Sequence, residues 1–230
     1  MDTLTSAPVA DVLTRLFDEA QAADGPLRAR FTESLGDDGH AVADLLAREA
    51  ADYKSLYHGF ADNFLNISAE FGRFLYVCAR ARQSKRIVEF GTSFGISTIH
   101  LAVALHDGGG GELISTELEP TKAKRARENL AAAGLSDIVD IRVGDALETL
   151  RDGVGGGIDL VLLDGAWTLY LPVLKLLEPH LRPGALVIAE NALDESGDYL
   201  GYVRNPDNGY RTIPLPFEPE RGNELSVRTA

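Results

Sequence analysis

Several acidic residues in this chain stand where chemistry is most often done. Glu89, Glu117, Asp145 and Asp164, and the pair Glu190–Asn191, each lie at or just after the end of an apolar, strand-like run. Carboxylates gathered in this way accept hydrogen bonds and favour positive charge. A pyrophosphate would be served poorly, because it wants backbone N–H donors and little negative charge. The stretch "IVEFGTSFGIST", residues 87–98, adds a glycine turn between the first such run and a helix. Its glycines, Gly91 and Gly95, are spaced G-x-x-x-G rather than the G-x-G-x-x-G of a dinucleotide fingerprint. They let the backbone approach a ligand closely.

The elements that must hold these residues follow from periodicity. Strands are expected at 85–90, 112–117, 138–143, 158–164 and 184–190, with helices near 95–106, 120–133, 145–151 and 169–181 between them. "IDLVLLD" and "GALVIAE" are nearly continuous apolar runs, as in strands covered on both faces. The tail, "GYRTIPLPFEPERGNELSVRT", reads as two antiparallel strands joined by a proline-rich loop. The fold class is α/β: a doubly wound, Rossmann-like, mostly parallel seven-stranded sheet with helices on both faces. In such a sheet the ligand binds beyond the carboxyl ends of the strands, where the acids stand. Ahead of it, residues 1–66 read as a helical extension or lid, with helices at 8–23 and 40–58. A further helix begins after Ser68 and ends near Arg82. Residues 67–230 form the ligand-binding domain. The aromatic residues Tyr53, Tyr57, His58, Phe60 and Phe64 are either a lid over the site or plain core. Arg73, Arg80, Arg82, Lys85 and Arg86 read as a solvated face.

Composition narrows the function. The 230 residues carry a formal net charge of −13, which repels phosphate backbones and anionic membranes. Nucleic acid and membrane are therefore not expected as partners, and a small molecule is. The N-terminus lacks a basic start and an apolar core segment, so it does not read as a signal peptide. One cysteine, Cys78, allows no intrachain disulfide and fits a cytoplasmic setting. No histidine spacing suggests zinc. His58 is the histidine to test as a base. The N-terminal helices could pair two subunits into a homodimer.

The ligand that fits the acids best is S-adenosylmethionine, which has no phosphate but carries a sulfonium, an ammonium and a ribose diol. Glu117, 26 residues after Gly91, is placed to accept both ribose hydroxyls, and Asp145 to meet the adenine amino group. The motifs "VEFGTSFGIST", "STELEP", "GDALETL", "LVLLDGAW" and "LVIAEN" resemble those of class I S-adenosylmethionine-dependent methyltransferases. They are most similar to the small catechol and caffeoyl-CoA O-methyltransferase group, over about residues 62–192. The resemblance implies that Glu89 and Gly91 lie under the methionine part of the cofactor. It implies that Ser97 and the Ile67 backbone bind its carboxylate, that Glu117 holds the ribose, and that Asp145 or Ala146 lies by the adenine. It also implies a divalent metal, Mg²⁺ or Ca²⁺, on Asp164, Glu190 and Asn191, with Asp164 as a catalytic residue.

Two departures stand out. The ligand pair here is Glu-Asn where the group has Asp-Asn, and Trp167 occupies the place of the lysine base of the animal catechol enzymes. The expected reaction is methyl transfer to a hydroxyl of a small, aromatic acceptor. The alternatives are a metal-independent N- or O-methyltransferase, and a nucleotide-binding oxidoreductase or sensing module on the same fold.

Overall fold

The computed structural model describes residues 3–35, 40–192, 198–216 and 222–229. The apolar runs form seven strands: β1 (Arg86–Phe90), β2 (Glu112–Glu117), β3 (Val139–Val143), β4 (Ile158–Leu163), β5 (Leu181–Ala189), β6 (Tyr210–Pro214) and β7 (Glu224–Arg228). They build one sheet in the order β3-β2-β1-β4-β5-β7-β6. The first five strands of that order are parallel, and β7 runs antiparallel to both β5 and β6. The strand order reverses between β1 and β4, which makes their carboxyl ends the switch point.

Strand periodicity splits the interior in two. Ile87, Leu160 and Leu162 point into a cluster under the helices α1 (Val9–Leu35), α3 (Ala69–Ala81), α4 (Ile96–Asp107) and α5 (Pro120–Ala132). Val88, Val161 and Leu163, one residue out of phase, point into the opposite cluster. That cluster packs under α6 (Ala146–Thr149), α7 (Tyr170–Leu177) and α8 (Tyr199–Arg204). Each fully buried Leu, Ile or Val contributes about 1.5–3 kcal/mol, so β4, buried at all six positions, is a principal source of stability. Helix α4 is buried from Ile96 to Leu105, which explains its weakly amphipathic sequence.

The extension is more elaborate than its periodicity suggests. Helix α1 continues through Pro26 to Leu35 rather than stopping near residue 23. The gain is Asp24, 1% exposed, whose carboxylate accepts from the backbone N–H groups of Phe64 (2.8 Å) and Leu65 (2.7 Å). Helix α2 (His40–His58) is broken at Asp52, which is non-helical at φ −159° and ψ 80°. Asp52 then caps the second half through the Ser55 N–H at 3.0 Å. Helix α3 starts where Ser68 accepts from the Phe71 N–H, as expected. Helix α8 was not expected: its six residues are too short for periodicity to reveal, and Tyr199 and Val203 bury it. The centre of the proline-rich loop, residues 217–221, lies outside the described residues. Lys85 and Arg82 are tied to the backbone rather than simply solvated: Lys85 Nζ donates to Gly108 and Gly110, and Arg82 to Pro183.

Candidate active site

The centre of the site is a seam between two strand ends. Gly91 follows β1 with φ +106°, and a Cβ there would lie 1.9 Å from the Asp164 carbonyl oxygen. Only glycine fits both constraints. The Asp164 N–H donates to Phe90 at 2.8 Å, locking the two chain ends together. Beside the seam lies a small cleft lined by residues 64–67, 91–94, 96, 97 and 164. Ile67, Gly91, Ser97 and Asp164, four of the residues singled out above, thus meet at one place.

The wall formed by residues 64–67 is held by the extension. Asp24 bonds its backbone, the Ser93 hydroxyl donates to the Phe64 carbonyl at 2.6 Å, and Phe64 stacks on Phe94 with centroids 4.1 Å apart. Phe64 is therefore core. Ile67 is buried, and its carbonyl accepts from the Asn66 side chain at 2.7 Å.

Glu89 sits beneath the seam, fully buried. One oxygen accepts from the Ser97 hydroxyl at 2.6 Å, the other from Thr98 (2.6 Å) and Ser115 (2.5 Å). Desolvation still raises its pKa, against those three hydroxyls. The Ser97 hydroxyl thus points at Glu89. What α4 offers to the cleft is its N-terminus, which begins after Gly95 with no side-chain cap. The first N–H groups of a helix favour an anion.

Glu117 ends β2 and is 8% exposed. It accepts from the backbone N–H groups of Ser93 (2.7 Å) and Glu119 (2.8 Å). Desolvation raises its pKa, opposed by those N–H groups and by Lys122. Each bonded oxygen keeps a further lone pair. His58 lies near here rather than beside Asp164: its exposed ring is 3.1 Å from Glu119.

Asp145 is bonded on both carboxylate oxygens. One oxygen caps α6 through the Leu147 N–H at 3.0 Å. The other accepts from the Tyr53 hydroxyl (2.6 Å) and Lys54 (2.8 Å). Its carboxylate is turned toward the extension. Ala146 beside it is buried.

On the far side of the seam, β5 delivers Glu190, 1% exposed, and Asn191, held in the left-handed region at φ +53°. The buried Asn223 fixes this turn by accepting from the Asn191 N–H at 3.0 Å. Tyr170 feels the charges of both Asp164 and Glu190, and its hydroxyl donates to the Glu190 carbonyl at 2.6 Å. Two carboxylates and one carboxamide offer oxygen donors of the hard kind that Mg²⁺ or Ca²⁺ prefers. Among the described residues, no group of three or more His, Cys, Asp or Glu side chains is arranged to hold a metal. Trp167 opens the turn after β4, partly buried against the cluster that includes Ala166 and Ala192.

A residue that periodicity missed completes this side. Glu49 on α2 is 0% exposed. Its oxygens accept from the Thr168 N–H at 2.7 Å and the Tyr57 hydroxyl at 2.9 Å. Nothing local marks it, because its partner Thr168 is 119 residues away.

A doubly wound sheet with carboxylates around a glycine seam at its switch point is the architecture of a ligand-binding α/β domain. The comparisons with known proteins specify which. A family model described as a methyltransferase domain matches residues 88–192. The catechol O-methyltransferase of Mycobacterium tuberculosis is 34% identical over 163 residues, 71% of this chain and 69% of that one. That of Niastella koreensis is 32% identical over 160 residues, 67% and 72% of the two chains. Among solved structures, the O-methyltransferase TomG of Streptomyces achromogenes, in complex with S-adenosylmethionine, superposes with a TM-score of 0.65. It is 26% identical, over 81% of this chain and 90% of that one. The chain belongs to the class I S-adenosylmethionine-dependent methyltransferases, in their O-methyltransferase family. It methylates a hydroxyl of a small acceptor. No helix among the described residues is long and apolar enough to cross a membrane.

Proposed function

We propose that the acceptor is a small aromatic hydroxyl compound, bound between the turn after β4 and the end of β5, with the cofactor on the β1–β3 side of the seam. The observation that carries this reading is the Gly91–Asp164 seam, with desolvated carboxylates on its cofactor side and Trp167 on the other. Buried carboxylates gain from a nearby cation, and the sulfonium supplies one. Glu117 accepts the ribose diol with its remaining lone pairs. The methionine carboxylate lies at the N-terminus of α4, against Ser97 and the Ile67 backbone, over Glu89 and Gly91. The adenine lies against Asp145 and Ala146. Methyl transfer is an in-line displacement, so holding oxygen, carbon and sulfur collinear does most of the work.

Asp164, Glu190 and Asn191 would hold a divalent cation, Mg²⁺ or Ca²⁺. When bound, it would lower the acceptor hydroxyl's pKa and orient it. Residues 1–66 act as a lid over the domain of residues 67–230. The contacts of Glu49 with Thr168, Tyr53 and Lys54 with Asp145, and His58 with Glu119 support that role.

The test is methyl transfer from labelled S-adenosylmethionine to catechol, with Mg²⁺ and with EDTA. Activity lost in EDTA and restored by Mg²⁺ is expected, and Asp164→Asn should reduce turnover far more than cofactor affinity. Full activity in EDTA would replace the metal-assisted reading with a metal-independent one. Failure with every aromatic hydroxyl tried would remove the acceptor class.

A further inference from the structure

We propose that Tyr57, backed by Glu49, takes the proton of the acceptor hydroxyl during methyl transfer. The inference rests on the aromatic-hydroxyl reading above. It starts from an energetic oddity. A carboxylate with no exposed surface is costly unless hydrogen-bonded, and Glu49 divides its two oxygens between different tasks. One, on the Thr168 N–H, fixes the turn that carries Trp167, a side chain that cannot take a proton. The other accepts the Tyr57 hydroxyl at 2.9 Å. A phenol that has donated its hydrogen can only accept thereafter, through its oxygen lone pairs. The partner it suits is therefore an O–H donor, which is what a hydroxyl acceptor is.

The surroundings fit a relay rather than an ionised tyrosine. Tyr57 is partly buried on the same cluster as Trp167 and Ala166. The groups that act on it are Glu49 from its own helix and Asp164 from the end of β4. Tyr170 of α7 interacts with both Tyr57 and Glu49, and also with Asp164 and Glu190. Burial first, then these acids, hold the Tyr57 phenol well above its ordinary range. It stays protonated near neutral pH and can pass a proton on. In the step, the acceptor oxygen bonds the methyl carbon, and the carbon–sulfur bond breaks with its electron pair going to sulfur. The acceptor proton moves to the Tyr57 oxygen while the proton already there moves to Glu49. The sulfonium charge and the Glu49 charge disappear together, leaving a neutral thioether and a neutral carboxylic acid.

The test uses the full chain saturated with S-adenosylhomocysteine, and 4-nitrocatechol as a probe whose ionisation is visible by absorbance. In the wild type the bound probe should ionise at lower pH than in Tyr57→Phe or Glu49→Gln, by about one pH unit, a tenfold effect. Turnover at neutral pH should fall about a hundredfold in each variant and recover as the pH rises and the acceptor ionises unaided. Glu49→Gln keeps an oxygen for the Thr168 N–H, so the emission of Trp167, the sole tryptophan, should not move. Identical probe titrations in all three proteins would overturn the relay alone. So would a pH-independent loss of turnover accompanied by altered Trp167 emission, which would mean that Glu49 only holds the turn. If the wild type binds S-adenosylhomocysteine but not the probe, the acceptor reading falls and the relay falls with it.

Discussion

The two sides of the seam are built by different means. On the cofactor side, part of the support is local, and part crosses between strands, Glu89 also accepting from Ser115 and Glu117 from the Ser93 N–H. Glu89 is bonded by Ser97 and Thr98, eight and nine residues on, and Glu117 by the N–H two residues later. On the acceptor side, the fixing contacts are long-range: Glu49 to Thr168, 119 residues apart, and Asn223 to Asn191, 32 apart. Local contacts keep their geometry when distant sequence changes, whereas the contacts of Glu49 and Asn223 need an extension and a terminal strand in place. Single substitutions on the cofactor side should thus weaken cofactor binding, and those on the acceptor side should retune acceptor binding.

The largest effect tests that division at the seam itself. Gly91→Ala puts a Cβ against the Asp164 carbonyl and forces a non-glycine residue into a left-handed φ. Backbone strain and overlap together should cost about 3 kcal/mol or more, lowering the Tm by roughly 6–12 °C in a chain of this size. Cofactor binding should vanish with it. Gly156→Ala, where an added Cβ has nothing within 4 Å, is the control. Equal melting curves for the two variants would show that the seam tolerates movement.

Acid should strike the cofactor side next. His100 on α4 is buried, and burial lowers its pKa to about 4. Unfolded, it titrates near 6.5, so the fold favours the neutral ring. That stability is fully present above about pH 6.5 and is lost as pH falls toward 4, to a total of about 3 kcal/mol. Gly72 packs against this ring, which leaves no room for adjustment. Asp145 and Asp107, whose pKa values are lowered, add loss in the same direction but at lower pH. Glu89 and Glu117, whose pKa values are raised, act oppositely: their burial penalty is relieved as they protonate. Between pH 6.5 and 5 His100 therefore removes stability while Glu89 and Glu117 oppose that loss. Tm against pH should flatten there in His100→Gln, and an unchanged slope would reassign the effect.

Glu117→Ala sharpens the comparison by leaving the fold alone. A charge-assisted hydrogen bond is worth about 1.5–3 kcal/mol, so affinity for S-adenosylhomocysteine should fall about tenfold or more by calorimetry. Unchanged affinity would remove Glu117 from the ribose.

The same division explains what the sequence disclosed. The parallel sheet was legible because β4 and β5 are continuous apolar runs, and the order of acids at the strand ends follows from it. Gly91, Glu89 and Glu117 could be read because a glycine turn and an acid at a strand end are local patterns. The Asp145 contact could not, because its partners Tyr53 and Lys54 belong to a helix segment created by the break at Asp52. Glu49 and Asp24 were invisible because their partners lie far along the chain. Glu49 looks like an ordinary polar residue of an amphipathic helix and Asp24 like the residue past a helix end, and only tertiary packing buries them. Helix α8 is too short for its period to register.

The smallest effect falls on the acceptor side, at Trp167. The indole stands partly buried at the start of the turn after β4, and the backbone of that turn is held from outside by Glu49 through Thr168. Removing the side chain therefore leaves the turn in place and takes away only a wall. A wall contributes alike to the bound acceptor and to the transition state, so its loss should raise KM with little change in kcat. Trp167→Ala should raise the KM for catechol several-fold, on the scale of about 1 kcal/mol expected for a partly exposed aromatic contact. Cofactor affinity should not change, since the cofactor side is built without this residue. A steep fall in kcat at constant KM would contradict the division between the two sides: it would mean that Trp167 helps to set the line of attack between oxygen, carbon and sulfur, and that positioning as well as recognition depends on the acceptor side.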